Sequence, residues 1–357
     1  MFKPKITFNP GPSQIAPHTI QAIHEVADSG ILSISHRSPE MTVLGREALE
    51  NTRKSLRIPE DFVILLQASA TMAMDTILRN VVQKKSFHFV NGAFSERFYQ
   101  TSLGIGHEAE QFVSDWSKPI SWREAQVPAD TELLAVTHIE TSTGTIWPTE
   151  ELEELRTEYA EPLIAMDLTS SLGGIHIPWH CADIFFSSVQ KCMGLPSGMA
   201  LLIVNPRSLN KAKTVHGSLA AWQDFSVMED KIKNYQTLET PNMFLLALLG
   251  KVMANWDMDY VDACTREKAK ILFEQDFPWQ SYQKDSLWVA PTVGNFTVED
   301  TEMWHKWARD AGYLIGKGYG KLRSECIRIA NFPSVQLDDL QSLLNALMVH
   351  VNQQEAL

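Results

Sequence analysis

The sequence predicts an α/β protein: a mostly parallel mixed sheet between helices, with a smaller α+β region towards the C-terminus. Two observations predict it. From residue 62 to about residue 240, short and nearly continuous apolar runs alternate with segments of helical spacing. That is the pattern of strands buried on both faces and joined by crossover helices. Beyond residue 240, long helical patterns flank shorter strand candidates. The chain has 357 residues, 44% of them hydrophobic, which suits one large unit and one smaller one. The expected division is a large unit over 12–239 and a smaller unit over 240–357, the latter joined by the N-terminal segment 1–11.

The elements follow in order. FVILLQ (62–67) is a strand, and ATMAMDTILRNVV (70–82) is a helix by its spacing. SFHFVNG (86–92) is a strand, and AFSERFYQTSLGIG (93–106) a helix ended by glycine. TELLAVTHIE (131–140) is a strand, and PTEELEELRTEYA (148–160) a helix with Pro148 and acidic residues in its first turn. LIAMDLTSS, DIFFSSVQ and MALLIVN supply three more strands between residues 163 and 205. In the second region, PNMFLLALLGKVMANW is a strongly apolar helix and TREKAKILFEQ a charged one. VGNFTV and CIRIANF are strand candidates, and LDDLQSLLNALMVHV closes the chain as a helix.

Composition narrows the function. A formal net charge of -12 argues against nucleic acid or an anionic membrane as partner. The start, MFKPKITFNPGPS, has no apolar run of a signal peptide, and FLLALLGKVM is too short to cross a bilayer. Four scattered cysteines, Cys181, Cys192, Cys264 and Cys326, make no CxxC and fit a reducing compartment. The expectation is a soluble cytoplasmic protein.

In parallel-rich sheets, ligands bind beyond the carboxyl ends of the strands. The residues to collect there are SAT, NGAF, ETSTG, DLTSS and SVQK. Two of them stand out. Asp167 follows the run PLIAM, where a buried carboxylate is costly without a partner, although TSSLGG also suits a capping or turn aspartate. Lys191 ends another apolar strand, where a solvated loop lysine is the plainer reading. An acid and a lysine ending successive strands form a recurring arrangement for pyridoxal phosphate: the lysine forms a Schiff base, and the acid keeps the pyridine nitrogen protonated. ASATMAMD (68–75) places small residues at a helix start, where backbone N–H groups face an anion.

At this point the chain resembles a family. FNPGPSQIAP, ISHRSPEM, HIETSTGT, MDLTSSLGG, SSVQKCMGLPSG, LETPNMF and GYGKLRSECIRIANFP fall in the order and spacing of the class V aminotransferases of pyridoxal phosphate fold type I. The resemblance spans essentially the whole length and implies that fold, with pyridoxal 5'-phosphate as cofactor. It implies Lys191 as the Schiff-base lysine and Asp167 as partner of the pyridine nitrogen. Thr141 matches the threonine near the phenolic oxygen, and Ala70, Thr71 and Gln190 match positions holding the phosphate. Phe94 matches the aromatic residue stacked on the ring, usually tryptophan in phosphoserine aminotransferases. Thr240 resembles a residue that reaches the phosphate from the neighbouring subunit, which implies a homodimer with shared sites. Arg328 matches the arginine that grips the substrate α-carboxylate with its planar fork. No metal is implied.

Within the family, SHR together with RIANFP is similar to phosphoserine aminotransferases, which act in serine biosynthesis on 3-phosphohydroxypyruvate and glutamate. In them the pair matching His36 and Arg37 binds the substrate phosphate across the dimer. The same stretch also reads as a plain helix start, with Ser38 as N-cap before Pro39. Two departures weaken the phosphate pocket. The usual arginine-bearing turn reads ASATM, and GKGYG replaces a His-Arg pair, leaving only Lys317. Alanine–glyoxylate or serine–pyruvate transamination is therefore the alternative.

Other classes fit less well. Cys326 lies within a strand, unlike the loop cysteine of a desulfurase, and GIGHEA follows a helix where a dinucleotide fingerprint needs a strand. HIPWHCAD offers His176, His180, Cys181 and Asp183 to a metal, but Pro178 breaks the helical face that such spacing needs. A binding protein without chemistry is disfavoured by an intact Lys191 and Asp167.

Overall fold

In a computed structural model, which describes residues 6–215, 223–274 and 279–355, the chain alternates strands and helices as expected. β1 (Ile6–Phe8), α1 (Pro17–Asp28) and α2 (Pro39–Leu56) precede β2 (Val63–Gln67), α3 (Ala70–Val81), β3 (Lys85–Val90), α4 (Ala93–Ile105) and β4 (Glu108–Val113). β5 (Leu133–Thr137), β6 (Ile139–Glu140), β7 (Thr145–Ile146), α5 (Thr149–Glu158), β8 (Leu163–Asp167), β9 (Ile184–Ser188) and β10 (Ala200–Val204) follow. The remainder comprises α6 (Pro206–Ala212), α7 (Phe225–Ile232), α8 (Met243–Met253), α9 (Met258–Phe273), β11 (Gln280–Ser281), β12 (Val293–Thr297), α10 (Thr301–Asp310), β13 (Tyr313–Lys317), β14 (Cys326–Ala330) and α11 (Leu337–Glu355).

Among the described residues the large sheet runs β2-β10-β9-β8-β5-β3-β4. All its pairs are parallel except those of β10, which runs antiparallel to both β2 and β9. This is the mostly parallel mixed sheet that the apolar runs predict. Side chains alternate between its faces. Leu134, Val136, Ile164, Met166 and Phe185 join the core with α1, α2 and α8. Leu133, Ala135, Leu163, Ala165 and Phe186 join the opposite core with α3 and α7.

The second sheet, β1-β13-β14-β12-β11, packs Phe8, Phe296, Ile327 and Ile329 against Trp304 of α10 and Leu340, Leu343 and Leu344 of α11. Residues 1–5 of the N-terminal segment and Gln275, the last residue of TREKAKILFEQ, lie outside the described residues.

Three local differences from the sequence reading have physical causes. TELLAVTHIE is not one strand. At His138 the N–H goes to Asp167 O at 3.0 Å, and Ile139–Glu140 turns aside to pair with Thr145–Ile146. Pro148 is the N-cap of α5, so the helix begins at Thr149, one residue later than expected. β13 is unforeseen because glycines surround it. Gly316 is required there, since a Cβ would meet Pro10 Cδ at 2.4 Å.

Candidate active site

The loops collected from the strand ends do converge. Ser69, Ala70 and Thr71 at the start of α3, Phe94 and Arg97 on α4, and Thr141, Asp167, Gln190 and Lys191 line a cavity of about 140 Å³. Ser69 caps α3 by accepting from Met72 N, and Ala70 N donates to Ser188 Oγ at 2.9 Å. That ties the helix start to the end of β9.

Lys191 is the hub. Its Nζ donates to Thr141 Oγ1 at 2.8 Å and to Ser170 Oγ at 3.2 Å, and the two hydroxyls also bond each other. The face of Phe94 lies over it, 4.7 Å from Nζ to the ring centroid. Its turn is pinned from two directions. Ser13 N, in the PGPS segment, donates to Gln190 O at 2.9 Å, and Gly194 N donates back to Lys191 O at 2.9 Å. Burial pulls the Lys191 amine down to about 8, with Asp167 opposing the change and Arg328 adding to it.

Asp167 is also buried, at 4% exposure. Its Oδ1 accepts from Thr169 N at 2.8 Å, and burial pushes its carboxyl above the usual range. Both groups are thus driven towards their neutral forms, a costly arrangement unless a charged partner enters between them.

Arg328, on β14, reaches the same region from the second sheet. Its Nε donates to Lys317 O at 2.7 Å and its Nη1 to Thr141 O at 3.4 Å. Burial pulls its guanidinium down to about 10. Beside it lies an assembly with no sequence signal. Tyr319 stacks on Phe94 at 5.0 Å and 15°, accepts from Arg97 Nη2 at 2.8 Å, and sits under the Arg328 guanidinium at 5.5 Å. Ser170 and Glu140, also missed, were within strings already collected, DLTSS and ETSTG.

The remaining candidates lie elsewhere. His36, Arg37 and Thr240 form a second cluster outside the Lys191 cavity. Thr240 Oγ1 and His36 Nδ1 are 3.2 Å apart. Arg37 donates to Gln236 Oε1, Thr237 O and Leu238 O at 2.8–3.1 Å. Ser38 does cap α2, accepting from Met41 N. Thr240 lines a separate groove of about 330 Å³ with Gln67, Ala68 and Met228. Lys317 is paired with Glu302 at 2.7 Å. Cys192 and Cys326 are buried, and burial raises both thiols. His180 and Cys181 come together with Glu153, the three donor atoms within 4.8 Å of one another. Burial holds that cysteine's thiol up at about 12. His176 instead pairs with Asp259, and Asp183 with Arg156.

The sequence model described as Aminotransferase class-V matches residues 99–276. The phosphoserine aminotransferase of Corynebacterium glutamicum (strain R) is 27% identical, over 95% of this chain and 93% of that protein. The crystal structure of a phosphoserine aminotransferase from Cytophaga hutchinsonii is 34% identical, with a TM-score of 0.93, covering 96% of this chain and 98% of that one. An alanine–glyoxylate aminotransferase from Nostoc sp. shares the fold at 20% identity, with a TM-score of 0.83 and coverage of 97% and 95%. The chain belongs to the class-V aminotransferases. It is a transaminase of pyridoxal phosphate fold type I.

The family implies pyridoxal 5'-phosphate, and the donor set fits it. Burial raises the Asp167 carboxyl against the opposing charge of Lys191, and a cationic ring nitrogen would stabilise its carboxylate further. The α3 N-terminus opens on the same cavity and suits a phosphate. An aromatic face and an amine that burial holds down to about 8 line the same cavity.

Proposed function

We propose that this transaminase holds pyridoxal 5'-phosphate in the Lys191 cavity and moves an amino group between phosphoserine and 2-oxoglutarate. The substrate assignment is carried by the full-length likeness to the Cytophaga hutchinsonii phosphoserine aminotransferase, at 34% identity and a TM-score of 0.93. When bound, the cofactor supplies an electron-withdrawing ring that accepts the charge developing at the substrate Cα. Asp167 holds the ring nitrogen protonated. Ala70, Thr71 and Gln190 would hold the phosphate at the start of α3, Thr141 would serve the phenolic oxygen, and Phe94 would cover the ring face. Lys191 is the nucleophile and then carries the proton at Cα, a task suited to an amine held near 8. Arg328, steadied through its Nε by Lys317 O, grips the α-carboxylate.

His36, Arg37 and Thr240 serve the partner's site in a homodimer on this reading, with the two arginine-histidine pairs receiving substrate phosphate. Their clustering outside their own chain's cavity supports it. The division into a large unit over 12–239 and a smaller one over 240–357 with 1–11 belongs to the same proposal, as does a cytoplasmic site of action. Among the described residues, no helix is long and apolar enough to cross a membrane.

One observation favours the alanine–glyoxylate or serine–pyruvate alternative. The 69–72 turn offers no arginine, and the GKGYG loop places Tyr319 over Phe94. A half-reaction titration of the holoenzyme separates the two. Bleaching of its visible absorbance by phosphoserine and glutamate, but not by alanine, is the expected outcome. Bleaching by alanine or serine with phosphoserine inert overturns the assignment. An Arg37→Ala chain that binds phosphoserine as tightly as the parent removes the phosphate role of Arg37.

A further inference from the structure

Glu140 is fully buried beside the cavity, and its carboxylate collects five donated hydrogen bonds. Oε2 accepts from Phe94 N at 3.0 Å, Ser95 N at 2.9 Å and Ser95 Oγ at 3.1 Å. Oε1 accepts from Ser142 N at 3.0 Å and Ser142 Oγ at 2.7 Å. We infer that Glu140 is a positioning residue for transamination: one carboxylate fastens the Phe94 wall to the Thr141 wall and so keeps Lys191 in register between them.

The two oxygens divide the work. Oε2 holds the first turn of α4, where a negative charge is also favoured by the helix dipole. Oε1 holds the turn that follows Thr141, the residue accepting from Lys191. The clamp is closed further by Ala93 N donating to Ser142 Oγ at 2.9 Å, and it is anchored to the second sheet by Asn295 Nδ2 donating to Ser142 O at 2.7 Å. Backbone room is reserved for it. A Cβ on Gly92 would lie 2.2 Å from Glu140 Cγ.

A side chain with purely structural duties needs the bonds but not the charge. Glu140 has a second effect that follows from its charge. Its carboxylate favours the protonated forms of both Lys191 and Arg328, opposing the burial that pulls them down. Replacing it by glutamine keeps the reach, removes the charge and turns one of the two accepting ends into a donor; replacing it by aspartate keeps the charge and shortens the reach.

The test reads the Lys191 amine directly in the full chain without cofactor, by competitive labelling with acetic anhydride across pH and mass spectrometry of the Lys191 peptide. This readout needs neither substrate nor cofactor, so its failure is separate from failure of the substrate assignment. In Glu140→Gln the labelling midpoint is expected to move to lower pH by roughly half a pH unit or more. In Glu140→Asp the midpoint stays near that of the parent, while single-turnover amino transfer in the holoenzyme falls at least about tenfold. Asp183→Asn, a destabilising change remote from the cavity, leaves the midpoint unmoved. Should Glu140→Gln fail to fold, the Ser95→Ala/Ser142→Ala chain replaces it, and slower transfer with an unchanged midpoint is expected. An unmoved midpoint in Glu140→Gln, or parental transfer rates in Glu140→Asp or the double-serine chain, overturns the inference.

Discussion

Lys191 Nζ donates to Thr141 Oγ1 at 2.8 Å, although fifty residues separate them in the chain. The hydroxyl comes from the turn after β6 and the amine from the turn after β9, so the contact depends on the sheet bringing these turns to one edge. The amine's first partners are neutral hydroxyls, not a carboxylate. Burial therefore decides its basicity.

Thr141→Val keeps the side-chain shape and removes the acceptor. A hydrogen bond to an ionisable amine is worth enough that single-turnover transfer should slow by about tenfold to a hundredfold. Rapid-mixing kinetics on the variant holoenzyme check this, and the parental rate would remove Thr141 from the site.

Lys191 and Lys268 are both buried lysines held down to about 8 by burial from an ordinary value of 10.5. Between those values the unfolded chain binds more protons than the folded one, so each contributes stability that rises with pH from about 8 to 10.5. Below that window the burial penalty is fully present. Lys191→Met should therefore stabilise the cofactor-free chain at pH 7, by about 1–3 kcal/mol, with the gain shrinking towards pH 10. The remaining hydroxyls of Thr141 and Ser170 still satisfy each other.

Lys268→Met should do the opposite. Lys268 Nζ donates to Phe332 O at 2.9 Å and Val335 O at 2.7 Å, and methionine leaves both carbonyls without that donor. A loss of about 2 kcal/mol is expected, read by denaturant unfolding at neutral pH.

Asp183 sits at the opposite end of β9 from Lys191. It accepts from Arg156 Nη1 at 2.8 Å, Ile164 N at 2.9 Å and Asn205 Nδ2 at 3.0 Å. Asp183→Ala removes the carboxylate that pairs with Arg156 and the acceptor of Ile164 N, and should cost about 3–5 kcal/mol. The folded fraction should keep the parental rate of transfer, since nothing in the Lys191 cavity is touched. A stability loss below about 1 kcal/mol would reclassify the pair with ordinary surface bridges.

Much of this arrangement is legible before any coordinates. LLAVT, LIAMD, IFFSS and ALLIV are buried at every position, so their apolar runs have one physical reading. Once the sheet is parallel-rich, its carboxyl ends locate Thr141, Asp167 and Lys191. EAEQFV was not legible as β4 because it is an edge strand. Its exposed residues include two glutamates, and it is held by its ladder to β3 with Lys84 and Lys85 paired to Glu108 and Glu110. The Tyr319 stack on Phe94 was invisible for a different reason. It depends on how the second sheet lies against the first, which no local pattern encodes.

The first strand has its own consequence for synthesis. Ile6, Thr7 and Phe8 pair with Tyr313, Leu314 and Ile315, so the opening segment waits for a partner made roughly three hundred residues later. On the ribosome the large sheet can close while β1 is still unattached. Emergence of β13 then draws the PGPS segment into place beside Gln190. The cavity is thus finished by the last quarter of the chain, and a nascent protein arrested before Tyr313 should have a sheet but an open amine.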